Sequence, residues 1–211
     1  MASYFEKYHG AFLASQRFLL NCKVEFPIDI HDIIMNQSNI LLMASSEYEC
    51  WCDAFNKKQV LKIGDGKCFY YSKADKYIIV YNDNNNFLRI RFTLAHELGH
   101  IALQHLNNNM AELSKGGLPD YLYYKMEGEA NTFAGNLLAP PILIHKHLDF
   151  FPIINNSLIH DSFEVSLQAA GRRLEDYLAW KEFKASKYEE VILKKYNTLL
   201  NNILFEYSQF S

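Results

Sequence analysis

Phe5, His9, Phe12, Leu13, Phe18 and Leu19 fall along one helical stripe and predict a helix over residues 1–22. Pro27 breaks the pattern, and Ile30, Ile33 and Ile34 then mark a short helix over Asp29 to Met35. Ile40 to Met43 reads as a short buried strand, with a helical turn as the alternative, while residues 44–60 are ambiguous. The strongest β pattern follows. Lys67 to Ser72 and Lys76 to Tyr81 are rich in Phe, Tyr, Ile and Val and are separated by the turn Lys73-Ala74-Asp75. Asp83-Asn84-Asn85-Asn86 predicts a loop whose side chains can cap a following helix. That helix runs from Phe87 to about Leu106 and is apolar on most sides, as a central helix is. Residues 110–120 read as a connector and Tyr124 to Leu138 as another strong helix, stopped by Pro140-Pro141. A helix, turn and helix follow over Ser157 to Phe163, Glu164 to Ser166 and Leu167 to Trp180, and an amphipathic helix spans Tyr188 to Tyr207. In that last helix Val191, Ile192, Tyr196, Leu199, Leu200 and Ile203 form the apolar set.

This order of elements predicts an α+β fold: a small mixed sheet packed on the Phe87 helix, with a helical C-terminal part. Residues 1–150 are expected to form the main domain, with 151–211 a helical subdomain packed on it. A chain of 211 residues is long enough for that core. A net charge of -3 argues against a protein whose main task is neutralising phosphates, and direct nucleic-acid binding is not expected. The start of the chain has no signal-peptide pattern, and no apolar run approaches the roughly 20 residues that span a bilayer. The four cysteines, Cys22, Cys50, Cys52 and Cys68, lack a second pair that would match Cys50-Trp51-Cys52 in a zinc knuckle. Reduced thiols in a cytoplasmic protein are the expectation.

The chemistry is concentrated in His96-Glu97-Leu98-Gly99-His100. Two imidazoles four residues apart lie on one helical face and can reach one zinc ion, and the intervening Glu97 can serve as general base. Catalytic zinc takes three protein ligands, so a third must come from elsewhere. On a continued helix His105 would stand about 140° around from His100, which disfavours it as a ligand and suits a supporting or surface role. Glu127 and Glu129 offer carboxylates on the next strong helix. Glu127 shares a face with Ala130, Asn131 and Ala134, small enough to press on the metal helix, whereas Glu129 points roughly 200° away. Glu127 is therefore preferred as the third ligand, and Asn131 is a candidate to orient one of the others. Tyr121, Tyr123, Tyr124 and His105 are open candidates for a second oxyanion donor.

The run Arg91-Phe92-Thr93-Leu94-Ala95-His96-Glu97-Leu98-Gly99-His100 resembles the core of the ImmA/IrrE metallopeptidases, as does Glu127 to Ala134 followed by Leu137-Leu138-Ala139-Pro140. Ile79-Val80-Tyr81-Asn82, Val165-Ser166 and Arg173-Leu174 also fit the family's layout, so the resemblance covers about residues 28–180. The family commonly has Met where Ala139 stands. The resemblance implies a zincin-like metallopeptidase lobe of the compact ImmA type, with a gluzincin-like site in which Glu127 is a ligand. It further implies a zinc endopeptidase acting on a helix-turn-helix repressor of a phage, mobile element or stress response. The competing expectation is a non-proteolytic anti-repressor or antitoxin-like module that sequesters a regulator. Arg172-Arg173 on the Leu167 helix could face phosphates, but Leu167, Ala169, Ala170, Leu174, Tyr177 and Leu178 favour packing. His145 and His147 are expected at the surface.

Overall fold

A computed structural model describes residues 7–54, 63–106 and 118–209. The start of the first predicted helix, the end of the ambiguous 44–60 stretch and most of the 110–120 connector lie outside the described residues. The chain forms two compact units, residues 30–131 and residues 1–29 with 132–211.

In the 30–131 unit, α2 (Ile30–Met35) follows α1 (His9–Asn21) of the other unit and leads into β1 (Ile40–Ala44). Next come α3 (Ser45–Ala54), β2 (Gly66–Tyr71), β3 (Lys76–Tyr81), α4 (Phe87–Ala102) and the first turns of α5 (Asp120–Leu138). The sheet order is β1-β3-β2. β1 pairs with β3 in parallel, Ile40 opposite Tyr77, and β2 pairs with β3 antiparallel, Cys68 opposite Ile79. The central strand β3 buries three consecutive residues, Ile78, Ile79 and Val80. Such a run fits a strand covered on both faces. Ile78 and Val80 pack with Tyr48 and Cys52 of α3, joined by Phe69 and Tyr71 of β2. By the two-residue period, Ile79 and its partner Cys68 face the opposite side, where α4 lies against β2 and β3. The predicted mixed sheet on the α4 helix is thus present.

Side chains that act as caps hold α3 and α4 in place. Asn86 accepts a hydrogen bond from the Arg89 N–H at 2.9 Å, satisfying a free donor at the start of α4. Asp65, just before β2, bonds Arg89 and accepts from Asn85 at 3.0 Å, which ties the start of the β2–β3 hairpin to the start of α4. Ser45 and Ser46 donate to Asp83 at 2.5 and 2.7 Å, fixing the exit of β3 against the start of α3 and holding Asp83 down to about 2.

The second unit is helical: α1, the rest of α5, α6 (Pro141–Lys146), a 3-10 turn (His147–Asp149), α7 (Asn156–Phe163), α8 (Leu167–Trp180) and α9 (Lys187–Ser208). Ser186 and Glu189 form a reciprocal capping box at α9, with Ser186 N–H to Glu189 at 2.7 Å and Glu189 N–H to Ser186 at 3.2 Å. The buried stripe of α9 is Ile192, Tyr196, Leu200 and Leu204, whereas Val191 is exposed. Arg173 does not face phosphates. It is buried and donates to the Ala139 carbonyl through Nε and Nη2 at 3.1 and 3.0 Å, to Asn136 at 3.0 Å and to Asp176 at 2.8 Å. It thereby satisfies the carbonyl just past the C-terminal end of α5. His147 also departs from expectation, being buried rather than at the surface. The chain tightens into the 3-10 turn at His147, which seats its ring against Phe26, Phe151 and Phe163. Among the described residues, no helix is long and apolar enough to cross a membrane.

Candidate metal centre

The residues singled out in the sequence converge within the 30–131 unit. His96 and His100 lie one turn apart on α4, and their Nε2 atoms stand 3.0 Å from each other. Glu127 on α5 faces both, with Oε2 3.4 Å from His96 Nε2 and Oε1 3.6 Å from His100 Nε2. The donor atoms of these three residues lie within 4.8 Å of one another, a group that could hold a metal ion. Bonds of roughly 2.0–2.2 Å at tetrahedral angles put neighbouring ligand atoms roughly 3.3–3.6 Å apart. The observed separations bracket that range, so the donor set fits an ion without rearrangement of the helices. Two imidazoles and one carboxylate also leave a fourth tetrahedral position for water or substrate.

The two rings sit in different electrostatic environments, and that of His100 favours the neutral form a metal ligand needs. Burial, and then the facing rings of His96 and His105, push His100 down to about 2, so it is neutral over the ordinary pH range. For His96, burial works against the charged ring, but the Glu127 hydrogen bond, the Glu97 and Glu127 charges and Asn131 together hold its pKa above the usual value. Asn131, one turn beyond Glu127, places Oδ1 3.1 Å from His96 Nδ1, the orienting contact its position on the small face suggested.

Glu97, beside the two histidines on α4, is buried where the helix meets the sheet. Its carboxylate meets the thiol and the backbone N–H of Cys68 on β2. Burial raises its pKa, opposed by His96 and by both Cys68 bonds. A carboxyl group whose pKa is raised is better matched to proton transfer near neutrality than an ordinary one. The same contact and burial push the Cys68 thiol well up, which keeps it protonated. Nothing in the sequence pairs Cys68 with Glu97, because the contact depends on how β2 packs across α4. Gly66 shows how close that approach is: a Cβ there would stand 2.3 Å from Thr93 Cγ2 and 3.7 Å from Glu97 Cγ.

His105 is outside the donor group, as its angular position suggested, yet it is buried against the back of His100, with Nδ1 2.9 Å from His100 Nδ1. Its Nε2 lies 3.2 Å from Glu129 Oε2. Glu129 thus takes no place among the donors and meets His105 instead. Being held by both neighbours, His105 is not available as an oxyanion donor, while Tyr121 and Tyr124 are exposed on the first turns of α5.

A mixed α+β fold that presents a His-Glu-x-x-His helix and a converging carboxylate has the layout of a metallopeptidase domain. Residues 54–175, more than half of the chain, match the IrrE N-terminal-like domain, a metallopeptidase family, and the chain belongs to that family. Among solved structures it is similar to a Mycobacterium tuberculosis transcriptional regulator, with a TM-score of 0.48 and 16% identity over 81% of this chain and 49% of that one. This chain therefore spans about half the length of that protein. Among curated proteins, none matches the chain.

Proposed function

We propose that this protein is a zinc-dependent endopeptidase of zincin type, with His96, His100 and Glu127 as zinc ligands and Glu97 as the catalytic base. The observation that carries the reading is the convergence of the three donors beside a buried carboxylate of raised pKa. Two imidazole nitrogens with one carboxylate are a donor set that suits zinc better than the all-oxygen shells of magnesium or calcium. When bound, zinc supplies a Lewis acid that polarises a peptide carbonyl and lowers the pKa of water to about 7. Glu97 takes the proton of the attacking water on its carboxylate and returns it to the leaving amine, a transfer worth typically 10²–10⁴-fold. Cys68 keeps that carboxylate aimed. Among the described strands β2 lies at an edge of the sheet, and an extended peptide can add to such an edge.

A helix-turn-helix repressor as substrate rests on the family resemblance. The free thiols, including exposed Cys50, support a reducing, cytoplasmic setting. The test is Glu97→Gln assayed against wild type on a panel of purified helix-turn-helix repressors, with cleavage followed by mass spectrometry and zinc content by metal analysis. The variant is expected to keep its zinc and lose cleavage by at least 10²-fold. A zinc-loaded variant that inactivates a repressor as well as wild type would instead establish a non-proteolytic, sequestering mechanism.

A further inference from the structure

α4 ends at Ala102, and the chain then reverses. Gln104 adopts a left-handed backbone (φ 58), its N–H bonds the Ile101 carbonyl at 3.0 Å, and the His105 N–H bonds the His100 carbonyl at 2.9 Å. These are the paired bonds of a Schellman motif. The reversal lays the His105 ring on the His100 ring, their centroids 5.0 Å apart. A chain of polar contacts results: Glu129 Oε2 to His105 Nε2 at 3.2 Å, then His105 Nδ1 to His100 Nδ1 at 2.9 Å, with His100 Nε2 in the donor group.

Every proton along this chain is dictated by one requirement. A neutral imidazole has one N–H and one lone pair. If His100 ligates through Nε2, its proton is on Nδ1 and donates to His105. His105 Nδ1 must then be bare, so its single proton is on Nε2 and donates to Glu129. The opposite assignment, with a proton on His105 Nδ1, would leave His100 Nδ1 as the acceptor and place a proton on the nitrogen that faces Glu127. We propose that His105 and Glu129 are positioning residues that fix the tautomer and orientation of His100 for metal binding. This rests on the zinc site proposed above. It also accounts for Glu129, which Lys125 contacts at 3.7 Å. His96 Nδ1 is met instead by Asn131.

The test uses the full chain. Zinc affinity is measured by competition with a chelating dye, and the cobalt-substituted protein is followed by its visible absorption band. His105→Leu removes the acceptor and is expected to weaken zinc binding 10–100-fold and to alter the cobalt band. His105→Asn, whose Oδ1 can accept from His100, is expected to recover most of the loss. Glu129→Ala is expected to fall between Leu and wild type. Nitrogen-15 spectra of wild-type zinc protein are expected to show His105 protonated at Nε2 and bare at Nδ1, a readout that needs no variant. Leu and Ala variants that bind zinc within twofold of wild type with an unchanged cobalt band would overturn the proposal, as would a proton on His105 Nδ1. Failure of the zinc site itself looks different: wild type and His100→Ala would then bind zinc equally weakly.

Discussion

At Gln104 a residue with a Cβ holds a left-handed backbone, where glycine is strongly preferred. Gln104 is exposed, so its side chain offers little packing to lose. Gln104→Gly is expected to stabilise the protein by about 1 kcal/mol, raising Tm by about 2–4 °C, with zinc affinity unchanged. A thermal melt that moves down instead would show that the Gln104 side chain contributes more than its backbone costs. His147 carries a pH dependence of known sign. Its Nδ1 donates to the Leu143 carbonyl at 2.8 Å, its Nε2 has no hydrogen-bond partner among the described residues, and burial pushes its pKa down to about 4. An unfolded histidine titrates near 6.5, so between about pH 6.5 and 4 the unfolded state takes up the proton first. The contribution is full above pH 6.5 and is lost as pH falls through 4, to the extent of about 3 kcal/mol. Denaturant melts from pH 7 to 4 should therefore lose less stability in His147→Leu than in wild type, and equal losses in the two would rule His147 out as a source.

β2 crosses α4 at close range, and Gly66 permits it. A methyl group there would run into Thr93 Cγ2, a buried β-branched side chain on a helix, and would stand 3.2 Å from the Val80 carbonyl. Neither neighbour can swing aside, so Gly66→Ala is expected to cost about 1–3 kcal/mol, measured by urea denaturation. Because Cys68 and Glu97 are joined across the same contact, the variant should also lose activity beyond what its stability explains. Local patterns made the elements on either side of this contact readable. Runs rich in Phe, Tyr, Ile and Val marked β2 and β3, and the i, i+4 histidines with the small face of Glu127, Ala130 and Asn131 pointed to the donor group and the Asn131 contact. What the sequence could not show was set by long-range packing or by an unmarked helix end. Cys68 meets Glu97 only through the docking of a strand on a helix. His105 reaches His100 because α4 stops at Ala102, and with Gln rather than Gly at the reversal nothing in the sequence announced that stop. The α3 helix went unread because Tyr48 and Cys52 are its only buried residues.

For the molecule as a whole, every group of the proposed zinc site belongs to the 30–131 unit, while the second unit is built around contacts such as Arg173 on the end of α5. Arg173→Met is expected to destabilise by about 3–5 kcal/mol, since it strands buried Asn136, the Ala139 carbonyl and Asp176, and the loss should show in the urea midpoint. Zinc at 100 times its Kd should add about 2.7 kcal/mol to wild type, seen by scanning calorimetry, and nothing to His100→Ala. The donors are shared between two helices, two on α4 and one on α5. An ion held by α4 alone would gain Glu127 only when the helices are docked. Linkage makes the gain reciprocal: whatever factor docking adds to the ion's affinity, the ion adds to the docking equilibrium. Zinc affinity is then a gauge of how much of the population is assembled, and a substitution far from the histidines that loosens α4 against α5 would weaken the measured affinity by the same fraction by which it depletes the docked state.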